Sequence, residues 1–394
     1  MAKAARERIG VLGAGTMGSG IAQVAAVAGH PVVLADAYAP SIDRARAGLQ
    51  KVFAREVEKK RMTAEAARDA QSRLTLEAIH DDYAVFRDCD VIIEAIVEDL
   101  GAKQRAFRAI EEVVSEECVL ATNTSSLSVA GIAAACRTRG RIVGLHFFNP
   151  APVLPLVEVV RAITSDATIV DRSRALVDQW GKVSVIARDT PGFIVNRVAR
   201  PFYGESLRIY EEGIADTATI DWAMTEIGGF RMGPFELMDL IGNDVNYAVT
   251  TSVFEAMGYE PRYRPSVTQR RMVEAGLLGR KTGAGYYRYG DGVAKPEARK
   301  DRALGQRIFD RVLAMLINEA ADALLFQVAS VQDIDLAMTK GVNYPRGLLA
   351  WADDIGAGEV YRRLEALQDE YGEDRYRPSA VLRARARDGA RFHA

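Results

Sequence analysis

From Arg8 to about Ala187, short apolar runs of strand-forming residues alternate with helical patterns: Ile9–Leu12, Val32–Leu34, Val91–Ala95, Val119–Ala121, Ile142–His146, Leu156–Val160 and Val183–Ile186. Near-continuous apolar strands separated by amphipathic stretches predict a mostly parallel sheet covered by helices. Two long polar stretches, roughly Ser41–Arg61 and Thr63–Arg73, have helical periodicity and interrupt that alternation after the second strand. They predict a projecting helical pair over about 41–73. From Pro191 onward strand-like runs nearly vanish and helical periodicity dominates, apart from the turn-rich stretch Gly276–Tyr289. A domain boundary is therefore expected near Arg188–Pro191.

The helical part contains an internal repeat. Ile220-Asp221-Trp222-Ala223-Met224-Thr225 matches Ile334-Asp335-Leu336-Ala337-Met338-Thr339 at an offset of 114 residues. The register persists through Gly233 and Gly347, Asp239 and Asp353, Ile241-Gly242 and Ile355-Gly356, Glu205 and Glu319, and Asn196-Arg197-Val198 and Asp310-Arg311-Val312. Tyr263-Arg264-Pro265 echoes Tyr376-Arg377-Pro378 with one residue fewer between them. Matches that hold one register over this distance predict a duplicated helical domain. The expected organisation is a sheet domain over 1–188, a first helical domain over 189–290 and a second over 291–394.

Composition narrows the function classes. The 394 residues carry a net charge of −2, which gives no overall field for a nucleic acid backbone. No apolar run approaches the roughly 18 residues of a membrane span. Met1–Arg8 is polar and leads straight into a strand with no apolar signal region, so a cytoplasmic protein is expected. Cys89, Cys118 and Cys136 are odd in number and lack C-x-x-C spacing, which argues against a disulfide framework and against a metal site. They read as core or half-buried thiols.

Chemistry begins at the first strand. Ile9-Gly10-Val11-Leu12 runs into Gly13-Ala14-Gly15-Thr16-Met17-Gly18, which opens a helix of small residues. In a G-x-G-x-x-G of this kind Gly13 makes the tight turn, Gly15 lets the backbone approach a pyrophosphate, and Gly18 lets the helix sit close to the strand. Asp36 ends the second strand, 23 residues after Gly13, where a carboxylate accepts hydrogen bonds from ribose hydroxyls. The fold class is thus an α/β Rossmann-type dinucleotide-binding domain followed by two all-α domains. Ala37-Tyr38 supply no arginine for a 2′-phosphate, which favours NAD over NADP. A phosphate charge at 4 Å from Asp36 would cost roughly 4 kcal/mol at an effective dielectric near 20. FAD uses the same fingerprint, so the catalytic site must decide between the two.

Of the four histidines, His30, His80 and His393 read as solvated loop residues. His146 ends the strand Ile142–Leu145 and begins H-F-F-N-P, so its imidazole is expected at the carboxyl edge of the sheet, where ligands bind in this class of fold. Glu158 is the one carboxylate in the apolar run Leu156–Val160, and a buried carboxylate needs a partner. An imidazole held at one ring nitrogen by a carboxylate can take a hydroxyl proton at the other.

N-T-S-S-L (Asn123–Leu127), G-L-H-F-F-N-P (Gly144–Pro150), L-V-E-V-V (Leu156–Val160) and D-T-P-G-F-I-V-N-R (Asp189–Arg197) together resemble the 3-hydroxyacyl-coenzyme A dehydrogenase family, 3-hydroxybutyryl-CoA dehydrogenases included. The resemblance covers about residues 6–289. It implies reversible NAD-dependent oxidation of an (S)-3-hydroxyacyl-CoA to the 3-oxoacyl-CoA, an enzyme of fatty acid metabolism. It implies His146 as base, Glu158 as its orienting partner, and Ser125 and Asn196 as groups that hold the substrate oxygen and thioester. Glu98, Lys103, Asn123, Asn149 and Lys281 are implied around the nicotinamide half of the cofactor. The helical pair is implied to help cover coenzyme A, with Gly48 and Arg55 where family members often carry a serine and a lysine. Asp310 stands where the second helical copy would carry Asn196, so that copy is expected to be non-catalytic. In short family members one helical domain forms the dimer interface, and a tandem copy could supply that partner in the same chain. A homodimer and a pseudo-dimeric monomer both follow. The competing enzyme reading is a β-hydroxyacid or sugar-acid (gulonate-type) dehydrogenase with the same domain plan. A non-catalytic NAD-binding structural module is the third, and the set Ser125, His146, Glu158 and Asn196 argues against it.

Overall fold

The computed structural model describes residues 6–79 and 82–393. The chain divides into two compact units, Met1–Thr190 and Pro191–Ala394, so both expected helical domains fall in one unit.

The first unit holds eight strands: β1 (Ile9–Leu12), β2 (Val32–Asp36), β3 (Leu74–Ala78), β4 (Val91–Glu94), β5 (Val119–Thr122), β6 (Ile142–Phe147), β7 (Leu156–Arg161) and β8 (Val183–Arg188). They form one sheet in the order β3-β2-β1-β4-β5-β6-β7-β8. Strands β1 to β6 pair in parallel, β7 pairs antiparallel with β6, and β8 is parallel to β7. The eight residues 148–155 between β6 and β7 are too few for a parallel crossover, so the chain returns antiparallel. The order reverses beside β1, and this opens a crevice at the carboxyl ends of β1 and β4.

Helices α1 (Thr16–Val27), α2 (Ala39–Glu58), α3 (Ala64–Ser72), α4 (Leu100–Glu111), α5 (Val129–Ala133) and α6 (Ala167–Gln179) accompany the sheet. The pair α2–α3 projects less than expected. Ile42, Ala45, Leu49 and Phe53 of α2, with Ala67 and Ala70 of α3, belong to the same core as Ile9, Leu34 and Val119. Spaced three and four apart, they form one apolar stripe that packs on the sheet. Strand β3 was not anticipated. Leu74 and Leu76 are only partly buried on this edge strand, and its run Leu-Thr-Leu-Glu-Ala follows α3 without a turn signal.

The helical unit comprises α7 (Val195–Val198), α8 (Arg200–Glu211), α9 (Thr217–Trp222), α10 (Pro234–Ile241), α11 (Asn243–Ala256), α12 (Val267–Glu274), α13 (Arg302–Leu325), α14 (Val331–Gly341), α15 (Leu348–Ile355), α16 (Ala357–Tyr371) and α17 (Ala380–Asp388). The 114-residue offset maps both ends of α10 onto those of α15, and the start of α11 onto that of α16. It also relates buried polar contacts. Asp221 accepts the N–H groups of Phe235 and Glu236, as Asp335 accepts those of Leu349 and Ala350. Asp239 accepts those of Tyr286 and Tyr287, and Asp353 accepts those of Phe392 and His393.

The two helical halves meet through reciprocal ion pairs. Arg197 Nε and Arg262 Nη1 donate to the Glu319 carboxylate at 2.7 and 3.1 Å, with the Tyr263 hydroxyl as a further donor. Conversely, Arg311 Nε, Arg375 Nη2 and the Tyr376 hydroxyl donate to Glu205 at 2.6, 2.7 and 2.7 Å. Burial alone would raise the Glu205 carboxyl, but Arg375 and Arg311 hold it below the ordinary carboxylate range.

Glu205→Ala is expected to destabilise the protein by about 3–5 kcal/mol, because it strips a carboxylate from buried guanidinium groups. A denaturant titration measures this, and Glu274→Ala at the exposed Arg270–Glu274 pair should leave the midpoint nearly unchanged. Since folding lowers the Glu205 carboxyl, its stabilisation should be full above the unfolded value of about 4.3 and fade as pH falls below it.

Candidate active site

The loop after β1 shows three separate uses of glycine. Gly13 has φ +104°, and a Cβ there would lie 2.5 Å from the Ala95 carbonyl oxygen. A Cβ on Gly18 would collide with the Gly13 carbonyl, so this glycine packs the helix onto the turn itself. At Gly15 a Cβ would meet no protein atom within 4 Å, and the backbone conformation is ordinary. Nothing in the packing of the protein therefore needs Gly15 to lack a side chain, whereas a pyrophosphate at this surface does. Helix α1 has no side-chain cap, which leaves the N–H groups of its first turn, Thr16 and Met17 among them, for an anion. The site thus fits a dinucleotide.

Asp36 holds this cradle from the end of β2. Its Oδ2 accepts Ala14 N–H at 2.7 Å and its Oδ1 accepts Tyr38 N–H at 2.8 Å. Each carboxylate oxygen keeps a lone pair, so ribose hydroxyls can still donate to it.

Beside the cradle, the end of β4 carries a buried charge cluster that sequence reasoning only half found. Glu94, 0% exposed, pairs with Lys103, 1% exposed, at 2.6 Å, and also accepts the Thr122 hydroxyl. Glu94 was missed although the signal used for Glu158, one carboxylate in an apolar strand run, was present in Val91–Ala95. Lys103 also lies 3.3 Å from Glu98. Glu98 in turn accepts the Thr124 hydroxyl at 2.6 Å and the Ser125 and Ser126 N–H groups at 2.9 and 3.1 Å. Burial would raise its carboxyl, but these donors and Lys103 hold it below its ordinary value. Glu98 therefore fixes the turn that presents Ser125, which is half-buried. Asn123 Oδ1 accepts Phe147 N–H at 2.8 Å, tying the ends of β5 and β6 together.

His146 and Glu158 are directly opposite each other across the antiparallel β6–β7 pair. Residues so placed project to the same face of the sheet. His146 Nδ1 and Glu158 Oε2 are 2.6 Å apart, with side chains 7% and 0% exposed. The Phe148 ring centroid lies 4.4 Å from the imidazole. Asp189, at the end of the same unit, accepts the Val129 and Ala130 N–H groups at 3.1 and 2.8 Å and so caps α5.

Two other histidines differ from expectation. His30 is buried, with Nδ1 2.9 Å from the Glu7 carbonyl oxygen and its ring edge-on to Trp180, because the loop before β2 is covered by the chain entering β1 and by the end of α6. His393 is half-buried and pairs through Nε2 with Asp335 at 2.8 Å, as the Tyr287 hydroxyl pairs with Asp221. His80 lies outside the described residues. The three cysteines are free and buried, and burial pushes Cys118 up to about 12. Asn149 is exposed after β6, and Gly48 and Arg55 are exposed on the outer face of α2. In the helical unit, Asn196 is half-buried on α7, and exposed Lys281 pairs with Asp244 at 2.6 Å.

A dinucleotide cradle and a buried imidazole–carboxylate pair at the carboxyl edge of one sheet define an NAD-dependent dehydrogenase of hydroxyl-bearing substrates. Comparison with known proteins makes the class specific. Residues 8–190 match the NAD binding domain of 3-hydroxyacyl-CoA dehydrogenase, and residues 192–289 and 308–391 match its C-terminal domain. The chain belongs to the 3-hydroxyacyl-CoA dehydrogenase family. It is 39% identical to the 3-hydroxyadipyl-CoA dehydrogenase of Escherichia coli K12, over 96% of this chain and 97% of that one. It is also 39% identical to human mitochondrial hydroxyacyl-coenzyme A dehydrogenase, over 72% of this chain and 91% of the relative. The crystal structure of 3-hydroxybutyryl-CoA dehydrogenase from Escherichia coli K12 superposes with a TM-score of 0.91 at 38% identity, covering 98% and 99% of the two chains.

Gly15→Ala is expected to leave the melting temperature nearly unchanged and weaken NAD binding at least tenfold, since the added methyl group meets only the dinucleotide. Calorimetry and cofactor titration on the same sample check both halves.

Proposed function

We propose that His146 is the general base that takes the 3-hydroxyl proton of an acyl-coenzyme A thioester, oriented through Nδ1 by Glu158. The 2.6 Å contact between a nearly buried imidazole and a fully buried carboxylate carries this reading. With its proton on Nδ1 and donated to Glu158, the ring has one defined tautomer, and Nε2 is the nitrogen that accepts the hydroxyl proton. When bound, NAD supplies the hydride acceptor for the carbinol carbon.

The remaining residues bind and position. Asp36 accepts the ribose hydroxyls, and the first turn of α1 holds the pyrophosphate. Ser125 donates to the substrate oxygen from the turn that Glu98 fixes, and Asn196 holds the thioester. Lys103 is already engaged by Glu94 and Glu98, so its part at the nicotinamide end is to neutralise those carboxylates. Asn123, Asn149 and Lys281 complete that half of the cofactor site, and Arg55 meets the phosphates of coenzyme A. The relatives' names cover a six-carbon diacid and a four-carbon monoacid. No helix of the described residues is long and apolar enough to cross a membrane, and the three free thiols accord with work in the reducing cytoplasm.

The purified protein given acetoacetyl-CoA is expected to oxidise NADH at least 100-fold faster than NADPH. His146→Gln should bind NADH nearly as well while losing about 10² to 10⁴ in turnover. An unchanged rate would remove His146 as the base.

The reciprocal pairs of Glu205 and Glu319 further support a chain that supplies both sides of its helical pairing. It should therefore sediment as a monomer at micromolar concentration, and a persistent dimer would mean that another surface associates.

A further inference from the structure

Among the described residues six arginines are buried: Arg141, Arg197, Arg200, Arg262, Arg311 and Arg375. Five of them face a carboxylate within 3.3 Å. Arg200 does not. Among the described residues its polar partner is the Thr250 hydroxyl at 3.2 Å, and its guanidinium lies 5.0 Å from the Tyr203 ring centroid. Its Nε is buried without a partner, and so is the hydroxyl of nearby Tyr344. Arg200 is 7% exposed and Tyr344 6%. A cation withdrawn from water without an opposing charge costs several kcal/mol, so an arginine kept there needs a reason.

Packing of the helical unit does not supply that reason. The positions 114 residues beyond Arg200, Tyr203 and Thr250 are Ala314, Ile317 and Leu364, and all three are buried. The second half thus fills the equivalent space with apolar groups, while Arg197 keeps its counterpart in Arg311. Arg200, Tyr203 and Thr250 therefore stand only in the half that carries Asn196, and the other half contributes Tyr344 to them. Arg200 follows Asn196 by four residues, which places the two on one face of the α7–α8 helical run. Tyr344 also lines a cavity of about 250 Å³ whose walls include Phe202, Phe230, Leu237 and Leu240. Methylene groups suit those apolar walls, and Tyr344 is the residue that the cavity shares with the Arg200 cluster.

We propose that Arg200, held by the Thr250 hydroxyl and joined by the Tyr344 hydroxyl, binds a carboxylate at the far end of the acyl chain, so that the preferred substrate is a dicarboxylic acyl-coenzyme A thioester. This rests on the reading of Asn196 and His146 given above. A guanidinium takes a carboxylate through two parallel hydrogen bonds, and the Tyr344 hydroxyl donates a third. A monocarboxylic chain of equal length would put a methyl group against the unpaired cation. Sites built around a buried polar partner discriminate strongly against analogues that lack it.

The test compares kcat/KM for the coenzyme A thioesters of 3-hydroxyadipate and 3-hydroxyhexanoate, which differ by a terminal carboxylate against a methyl group. The wild-type protein is expected to prefer the diacid by about 100-fold or more. Arg200→Met should cost the diacid at least tenfold and leave the monoacid within about threefold of its wild-type value, whereas Arg200→Lys should restore part of the preference. Should Arg200→Met fail to fold, the wild-type ratio and the milder Tyr344→Phe, expected to lower the preference a few fold, decide the matter. Equal use of the two thioesters by the wild-type protein overturns this proposal alone, as does an Arg200→Met variant that loses both activities in equal proportion. Turnover of neither thioester overturns the acyl-coenzyme A reading together with it.

Discussion

A carboxylate taken out of water loses a hydration shell worth several kcal/mol, and only cations or several N–H and O–H donors can replace it. That constraint organises both units. Glu94, fully buried, binds Lys103 and Thr122, while the more accessible Glu98 gathers the Thr124–Ser126 turn and half-buried Asp189 caps α5. In the helical unit Asp221, Asp239, Asp335 and Asp353 fasten the connections, and Glu205 and Glu319 each draw in two guanidinium groups and a tyrosine. His146 and Glu158 obey the same rule, with the difference that the partner can itself give up and take a proton. The geometry of the imidazole–carboxylate pair and the stability of the fold are here two results of one electrostatic requirement.

Sheet topology decides where the imidazole–carboxylate pair forms. The short return after β6 makes β7 antiparallel, and the register that follows sets residue 146 opposite residue 158. The order reversal beside β1 brings the glycine turn and the Glu94–Glu98 cluster to one crevice. Each strand end contributes one short segment, so the substitutions that tune cofactor or substrate can be made there without disturbing the apolar interior of the sheet.

Much of this was legible in the sequence because periodicity and special residues report local structure directly. Seven of the eight strands among the described residues are mostly apolar runs, broken by no more than a residue or two such as Glu158 or Ser184, and the glycine turn sits between a strand and a helix as such turns must. The offset of 114 residues was visible because residues that satisfy buried charges, Asp221, Asp239 and Glu205 among them, stand at matched positions in both halves. Strand β3 was hidden because an edge strand needs little apolar surface. His30 and His393 were misjudged because their partners, Trp180 and Asp335, are distant in sequence. Glu98 was placed near the cofactor by resemblance, but its grip on the Ser125 turn is a matter of three-dimensional reach that spacing alone does not give.

The contrast between Arg200 and Ala314 has a genetic side. In a symmetric homodimer one codon specifies both sides of the interface, so every substitution is made twice and must be tolerated in both copies. Here two codons 114 positions apart encode the corresponding sites. One half can accept a residue that burdens folding while the other keeps a cheap apolar filler, and selection can act on the two independently. Covalent linkage of the halves thus gives this chain an asymmetry that a pair of identical subunits cannot inherit.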